Sequence, residues 1–189
     1  MCSPKSMSWI MLPLIVGFFL GSIIAQTQID VRSDVVTVNG GGAAGRALVV
    51  HHPGLSSFHA DVMAAFVDGL AERDWRCDRT TASRSAPGDL AGYDLLVLGA
   101  PTYALKPASP IARYIERLGD LGGIPTAVLL TSAGPNAEVV AAFAARVEAA
   151  NGLVVEALEI RQAAPNEEIH GIPDGLEIAR RAGAAVAIP

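Results

Sequence analysis

The run DLAGYDLLVLGAPTY, residues 89–103, decides the fold. Its centre is apolar at every position rather than at alternate ones. A strand with one wet face alternates, whereas a strand covered on both faces does not. The pattern therefore predicts a central, parallel strand over residues 94–99, bounded by Pro87-Gly88 before it and Pro101 after it. Ser109-Pro110 follows, a serine cap with proline at the first helical position, and Ile111, Tyr114, Ile115 and Leu118 recur at helical spacing.

The same alternation extends in both directions. Upstream, RALVVHH (residues 46–52) reads as a first strand stopped by Pro53-Gly54. Residues 58–73 carry Val62, Met63, Phe66, Val67 and Leu70 on one helical face, and residues 75–80 form a short second strand. Downstream, residues 125–131 predict a fourth strand. Residues 136–150 predict a helix buried through Val139, Val140, Phe143 and Val147 and stopped by Asn151-Gly152. A fifth strand covers residues 153–160, and Asp174 with Glu177 resembles a capping box opening a last helix to about residue 182. Strands alternating with helices imply right-handed crossovers and a three-layer α/β domain with a five-stranded parallel sheet. Ligands of such sheets sit beyond the carboxyl ends of the strands. The loops to watch are residues 53–57, 100–108 and 132–136.

Composition narrows the function. Hydrophobic residues make up 51% of the chain but aromatics only 5%, and the formal net charge is −5. No basic cluster stands out in the sequence to neutralise phosphates, which argues against nucleic acid as a partner. The cysteines are Cys2 and Cys77, with no CxxC or Cys/His metal spacing, so no metal site is expected and Cys77 reads as a small buried hydrophobe. His51 and His52 are strand neighbours and face opposite ways; His59 either reaches a phosphate from the first helical turn or sits in solvent. Glu167, Glu168 and His170 read as a solvated loop. The turn Ser132-Ala133-Gly134 lacks the G-x-S-x-G elbow of a hydrolase, and no catalytic residue is assigned.

The N-terminus is different in kind. Residues 9–25, WIMLPLIVGFFLGSIIA, carry no charge and would span about 25 Å as a helix. The expectation is a single transmembrane anchor over residues 1–25, with a cleavable signal segment ending at Ala25 as the alternative. Lys5 precedes the segment, which places the domain on the extracytoplasmic side by the positive-inside rule. Residues 26–45 read as a flexible linker and residues 46–189 as the domain. The linker contains GGGAAG (residues 40–45), a literal G-x-G-x-x-G. It runs into a strand rather than out of one, so it is not a dinucleotide fingerprint.

With these residues in view, the chain resembles the flavodoxin-like family over residues 46–182. The run from Tyr93-Asp94 through the apolar strand to Gly99-Ala100-Pro101-Thr102-Tyr103 is the most specific part, supported by the first strand-loop-helix and the turn after the fourth strand. The resemblance implies strand order 2-1-3-4-5 and a site for flavin mononucleotide (FMN). It implies that Gly54, Leu55, Ser56, Ser57, Phe58 and His59 form the phosphate loop. Pro101, Thr102, Tyr103 and Ala104 would flank one side of the flavin ring, and Ser132, Ala133 and Gly134 the other. The family's loop pattern is roughly Ser/Thr-x-Thr-Gly-Asn-Thr. Ser56 keeps the central hydroxyl, but the glycine, asparagine and last threonine are absent. HPGLSSF-like loops are associated with a membrane-linked branch of the family. The implied function is FMN-dependent electron transfer, or reduction of a small acceptor such as a quinone by an unidentified redox partner; the alternative is a flavin-free binding or scaffold module.

Overall fold

In the computed structural model, residues 11, 17, 21 and 28–188 are described. The expected anchor over residues 1–25 therefore lies almost wholly outside the described residues. Among the described residues no helix is long and apolar enough to cross a membrane.

The elements run in chain order β1 (Val36–Val38), β2 (Gly45–His51), α1 (Ser57–Glu72), β3 (Trp75–Thr81), β4 (Leu95–Tyr103), β5 (Lys106–Pro107), α2 (Ser109–Leu118), β6 (Pro125–Ser132), α3 (Ala137–Ala149), β7 (Leu153–Arg161), α4 (Glu167–His170) and α5 (Gly175–Ala185). The sheet order is β1-β3-β2-β4-β6-β7, with β5 paired to β4. The five strands anticipated from sequence are parallel and lie in the order 2-1-3-4-5.

The strand count is corrected, because two short antiparallel strands bring the sheet to seven. One is β5, made where β4 runs past Gly99 and folds back, pairing Thr102 with Pro107 and Tyr103 with Lys106. Non-glycine residues Ala104 and Leu105 take positive φ at this tight turn, 48° and 59°. The other is β1, which comes from the stretch expected to be a flexible linker. It lies antiparallel on β3. Buried Asp78 on β3 explains the docking: its carboxylate accepts from Thr37 Oγ1 at 2.7 Å, from Arg46 Nη2 at 2.6 Å and from Tyr93 Oη at 3.1 Å. An edge strand of three residues that satisfies a buried carboxylate is held more firmly than its length suggests.

Alternation along each strand feeds two cores. Val49, Val97 and Leu129 point to one face, under Met63, Phe66 and Leu70 of α1 and Ile178 of α5. Leu48, Val50, Leu96 and Leu98 point to the other, under Ile111, Tyr114 and Phe143 of α2 and α3. Two sequence-level details shift. Ser109 is the first helical residue of α2 with Ala108 at the cap position, and residues 167–170 form a short helix rather than a loop.

The capping box of the last helix is half formed. Asp174 accepts from Leu176 N at 2.9 Å, but Glu177 instead pairs with Arg180 and Arg181. Asp174→Ala is expected to lower stability by about 1 kcal/mol, the usual loss for an N-cap carboxylate, read as a lower urea midpoint at unchanged m-value.

Candidate cofactor site

Three loops leave the carboxyl ends of β2, β4 and β6 and meet around a cavity of about 280 Å³. Gly54, Leu55, Ser56, Phe58 and His59 contribute from the first, Pro101, Thr102 and Tyr103 from the second, and Ser132 and Ala133 from the third. Ser57, Ala104 and Gly134 are not brought to its wall. Ser57 is exposed on the first turn of α1, Ala104 sits at the hairpin tip, and Gly134 offers its carbonyl to the Ser132 hydroxyl.

Sequence reading missed Thr131 and Gln162, which also line the cavity. Each sits at the carboxyl end of a parallel strand, so topology is the signal that would have found them. It also missed the polar girdle behind the third loop. Asn136 donates through Nδ2 to Thr102 Oγ1 at 2.9 Å, and its backbone N–H donates to Glu159 Oε1 at 2.7 Å. Glu159 in turn binds Arg161 Nε at 2.8 Å, both side chains being buried. This pair locks the third loop to the end of β7.

The first loop has the geometry of an anion cradle. Gly54 adopts φ +81°, where a Cβ would lie 3.0 Å from Pro101 Cγ and 3.1 Å from Tyr103 Oη. Glycine is thus favoured by the left-handed conformation, and a side chain there would also press on Pro101 and Tyr103. Ser56 is the N-cap residue of α1 in extended conformation, yet its side chain makes no cap bond. Its hydroxyl and the first-turn N–H groups of a 16-residue helix are left for a ligand, on the positive end of the helix dipole. The donor set suits a phosphate without any basic side chain.

Two features oppose an easy fit. Gly54 N–H already donates to His52 Nδ1 at 3.1 Å, and Leu55 N–H donates to Tyr103 Oη at 2.9 Å. Tyr103 therefore spans the loop rather than standing aside for a flat ring. The cavity lies just below the usual ~300–1,000 Å³ range of ligand pockets, so a whole flavin needs Tyr103 to swing outward. The Ser56 hydroxyl and the first-turn N–H groups of α1 match the chemistry of the phosphate end of FMN, whereas the Gly54 and Leu55 N–H groups are already bonded.

His59 lines the cavity, and its burial corrects the alternative that it sits in solvent. It is 2% exposed, its Nδ1 lies 2.9 Å from Thr131 Oγ1, and its Nε2 has no partner. Its ring stands 5.8 Å from that of His51, on the α1 face of the sheet. Burial holds the His59 imidazole well below its ordinary pKa, with His51 and His52 adding repulsion. Burial likewise drives His51 down to about 4, helped by Arg79 and His52. His52 lies on the opposite face and is lowered too, again first by burial. No group of three metal-ligating side chains forms among the described residues. Burial pushes the Cys77 thiol up to about 12, consistent with an inert core residue.

Strand order, layers and the position of this cavity define the molecule as an α/β protein of flavodoxin-like fold. Solved structures agree. Chains of similar architecture include a flavodoxin from the domain Archaea (15% identity, 74% of this chain and 94% of that one, TM-score 0.59). Flavodoxin 2 from Bacillus cereus is also similar (19% identity, 73% and 94%, TM-score 0.59). So is an NAD(P)H:quinone oxidoreductase from Methanothermobacter marburgensis (17% identity, 75% and 96%, TM-score 0.54). No protein-family model and no curated protein matches the chain.

Proposed function

We propose that the chain is a membrane-associated flavodoxin-like protein that binds FMN and uses it for electron transfer or for reduction of a small acceptor such as a quinone. The observation that carries this reading is the convergence of the three loops on one cavity at the N-terminus of α1, with a glycine at positive φ and an uncommitted Ser56 hydroxyl. The similarity to flavodoxins and to a quinone oxidoreductase supports the same class. Residues 9–25 would anchor it as a single-pass protein, the domain lying outside the cytoplasm, in keeping with the HPGLSSF loop of the membrane-linked branch.

Within this reading Ser56 and the first-turn N–H groups hold the phosphate, and Tyr103 lies against the ring. Bound FMN supplies one- or two-electron redox chemistry, while the protein positions the ring and sets its potential. Burial favours the uncharged form of His59, so this part of the cavity wall adds no positive charge.

Titrating the full chain in detergent with FMN, followed by flavin fluorescence quenching and the visible spectrum, tests the reading. Saturable binding at or below tens of micromolar is expected, and no binding in that range would sink it. Tyr103→Phe refines the test. The substitution keeps an aromatic ring but frees Leu55 N–H, and it removes a hydrogen bond of about 1 kcal/mol that must break as Tyr103 moves. FMN should bind roughly 5-fold more tightly to the variant, as that energy implies.

The alternative, a flavin-free binding or scaffold module, is favoured by one specific observation: the N–H groups of Gly54 and Leu55 are satisfied internally. Under that alternative neither the native chain nor Tyr103→Phe takes up FMN.

A further inference from the structure

The stretch before the sheet is fixed to the domain from Gln28 onward. The Gln28 carbonyl accepts from Arg113 Nη2 at 2.7 Å, and Asp30 Oδ1 pairs with the same guanidinium at 2.6 Å. The Val31 carbonyl and Ser33 are then held by Thr81 before the chain enters β1. Only Gln26 and Thr27 separate this fixed stretch from the end of the apolar run at Ala25. Three Cα steps reach at most about 11 Å. A segment seated in a bilayer at residues 9–25 would therefore keep the contact between Gln28 and Arg113 within about 11 Å of the segment's end.

The surface around Arg113 has the chemistry to lie against a membrane. Arg32, Arg84, Arg113 and Arg117 line a cavity of about 590 Å³ beside Gln28, and Asp30 is the one acid on its wall. In a chain of net charge −5 this is a local concentration of positive charge. Among the described residues Arg32 and Arg84 make no ion pair, and both are exposed. Guanidinium groups match phosphate oxygens in geometry and are lightly hydrated. Where α2 begins, Ala108 N–H donates to the Pro101 carbonyl, so the face adjoins the sheet edge that holds the candidate cofactor cavity. At that edge the hairpin tip projects Leu105, 75% exposed, beside Lys106.

We infer that the arginine-lined face of α2 docks on an anionic phospholipid bilayer and holds the cavity edge of the sheet at the membrane surface. The inference rests on the reading of residues 9–25 as a membrane anchor. An acceptor dissolved in the bilayer would then reach the cavity edge without crossing bulk water.

The test uses the full chain carrying Cys2→Ser, reconstituted in vesicles of equimolar phosphatidylcholine and phosphatidylglycerol. An environment-sensitive fluorophore is placed at Leu105→Cys, or at Asp68→Cys on the exposed side of α1, beyond the opposite face of the sheet. Nitroxide on the lipid headgroups is the quencher. Quenching at position 105 should exceed that at position 68 at least 3-fold. It should fall at least 2-fold when Arg32→Glu and Arg84→Glu are combined, or when phosphatidylglycerol is omitted. Equal quenching at the two positions, in a chain that still floats with the vesicles, overturns the orientation and leaves the anchor reading standing. A chain that does not float with the vesicles after an alkaline wash overturns both.

Discussion

Gly69→Ala and Gly183→Ala are each expected to destabilise the protein by about 3 kcal/mol, at the upper end of the usual overpacking range. Both glycines lie where α1 meets α5. A Cβ on Gly69 would sit 2.0 Å from the Arg180 carbonyl oxygen, and one on Gly183 would sit 2.1 Å from the Phe66 carbonyl oxygen. Those atoms belong to helix backbones, so no rotamer change can relieve the clash and the two helices must move apart. Separation loosens the Phe66, Leu70, Ile178 and Ala179 contacts in the core on that face. Against this, alanine returns up to about 1 kcal/mol of helix propensity, which is too little to reverse the sign. Because a single separation accommodates both methyl groups, the double variant should lose clearly less than the sum of the singles. Gly88→Ala, whose Cβ would meet nothing within 4 Å, is the control and should shift stability by no more than about 0.5 kcal/mol. Urea unfolding at constant m-value reads all four proteins. Wild-type stability in either helix variant would show that the close approach of α1 and α5 does not hold in solution.

Acid should destabilise the protein well before its carboxylates are protonated. His51 has an ordinary pKa of 6.5 and a folded value near 4, with burial as the main cause and Arg79 and His52 adding to it. His59 and His52 shift in the same direction, each chiefly by burial. Above about pH 6.5 the imidazoles are neutral in both states and their contribution is fully present. Between 6.5 and 4 the unfolded chain takes up a proton at His51 and the folded chain does not. Stability therefore falls as pH falls, by roughly 3 kcal/mol for His51 across that window, and the loss levels off below the folded pKa. His51→Leu should flatten the slope of stability against pH between 4 and 6.5 while leaving the behaviour near pH 8 close to that of the native chain. An unchanged slope would mean that His51 is reached by water and protonated in the folded state.

How much of this was legible beforehand follows from the range of the interactions. The five parallel strands and their helices were readable because each is a local pattern: an unbroken apolar run, a 3.6-residue repeat, a proline or glycine stop. The seven-residue strand β2 and nine-residue strand β4 carry their own signals. β1 does not, since its three exposed-to-intermediate residues are held by partners some forty positions later: the β3 backbone, the Asp78 carboxylate that takes the Thr37 hydroxyl, and the core under Val38. The candidate site divides in the same way. Gly54, Ser56, Tyr103 and Ser132 could be named from motif and loop position. That Tyr103 closes over Leu55, that His59 turns inward to Thr131, and that Asn136 bridges Thr102 and Glu159 depend on residues distant in the chain.

Legible in the linear string are the α/β alternation, the loops that would carry a site, and the uncharged run at residues 9–25, whereas the strand order was implied only by the resemblance to the flavodoxin-like family. Hydrophobic periodicity and turn chemistry act over a few residues and survive in a linear string. The assembled fold sets which donors in the loop after β2 are already spent and brings the two glycines to the point where α1 and α5 touch. It alone decided that the chain is fastened to α2 from Gln28 onward. Apart from the local bond from Gly54 N–H to His52, these are contacts between segments far apart in the chain, and their geometry exists only once the sheet and its covering helices have assembled.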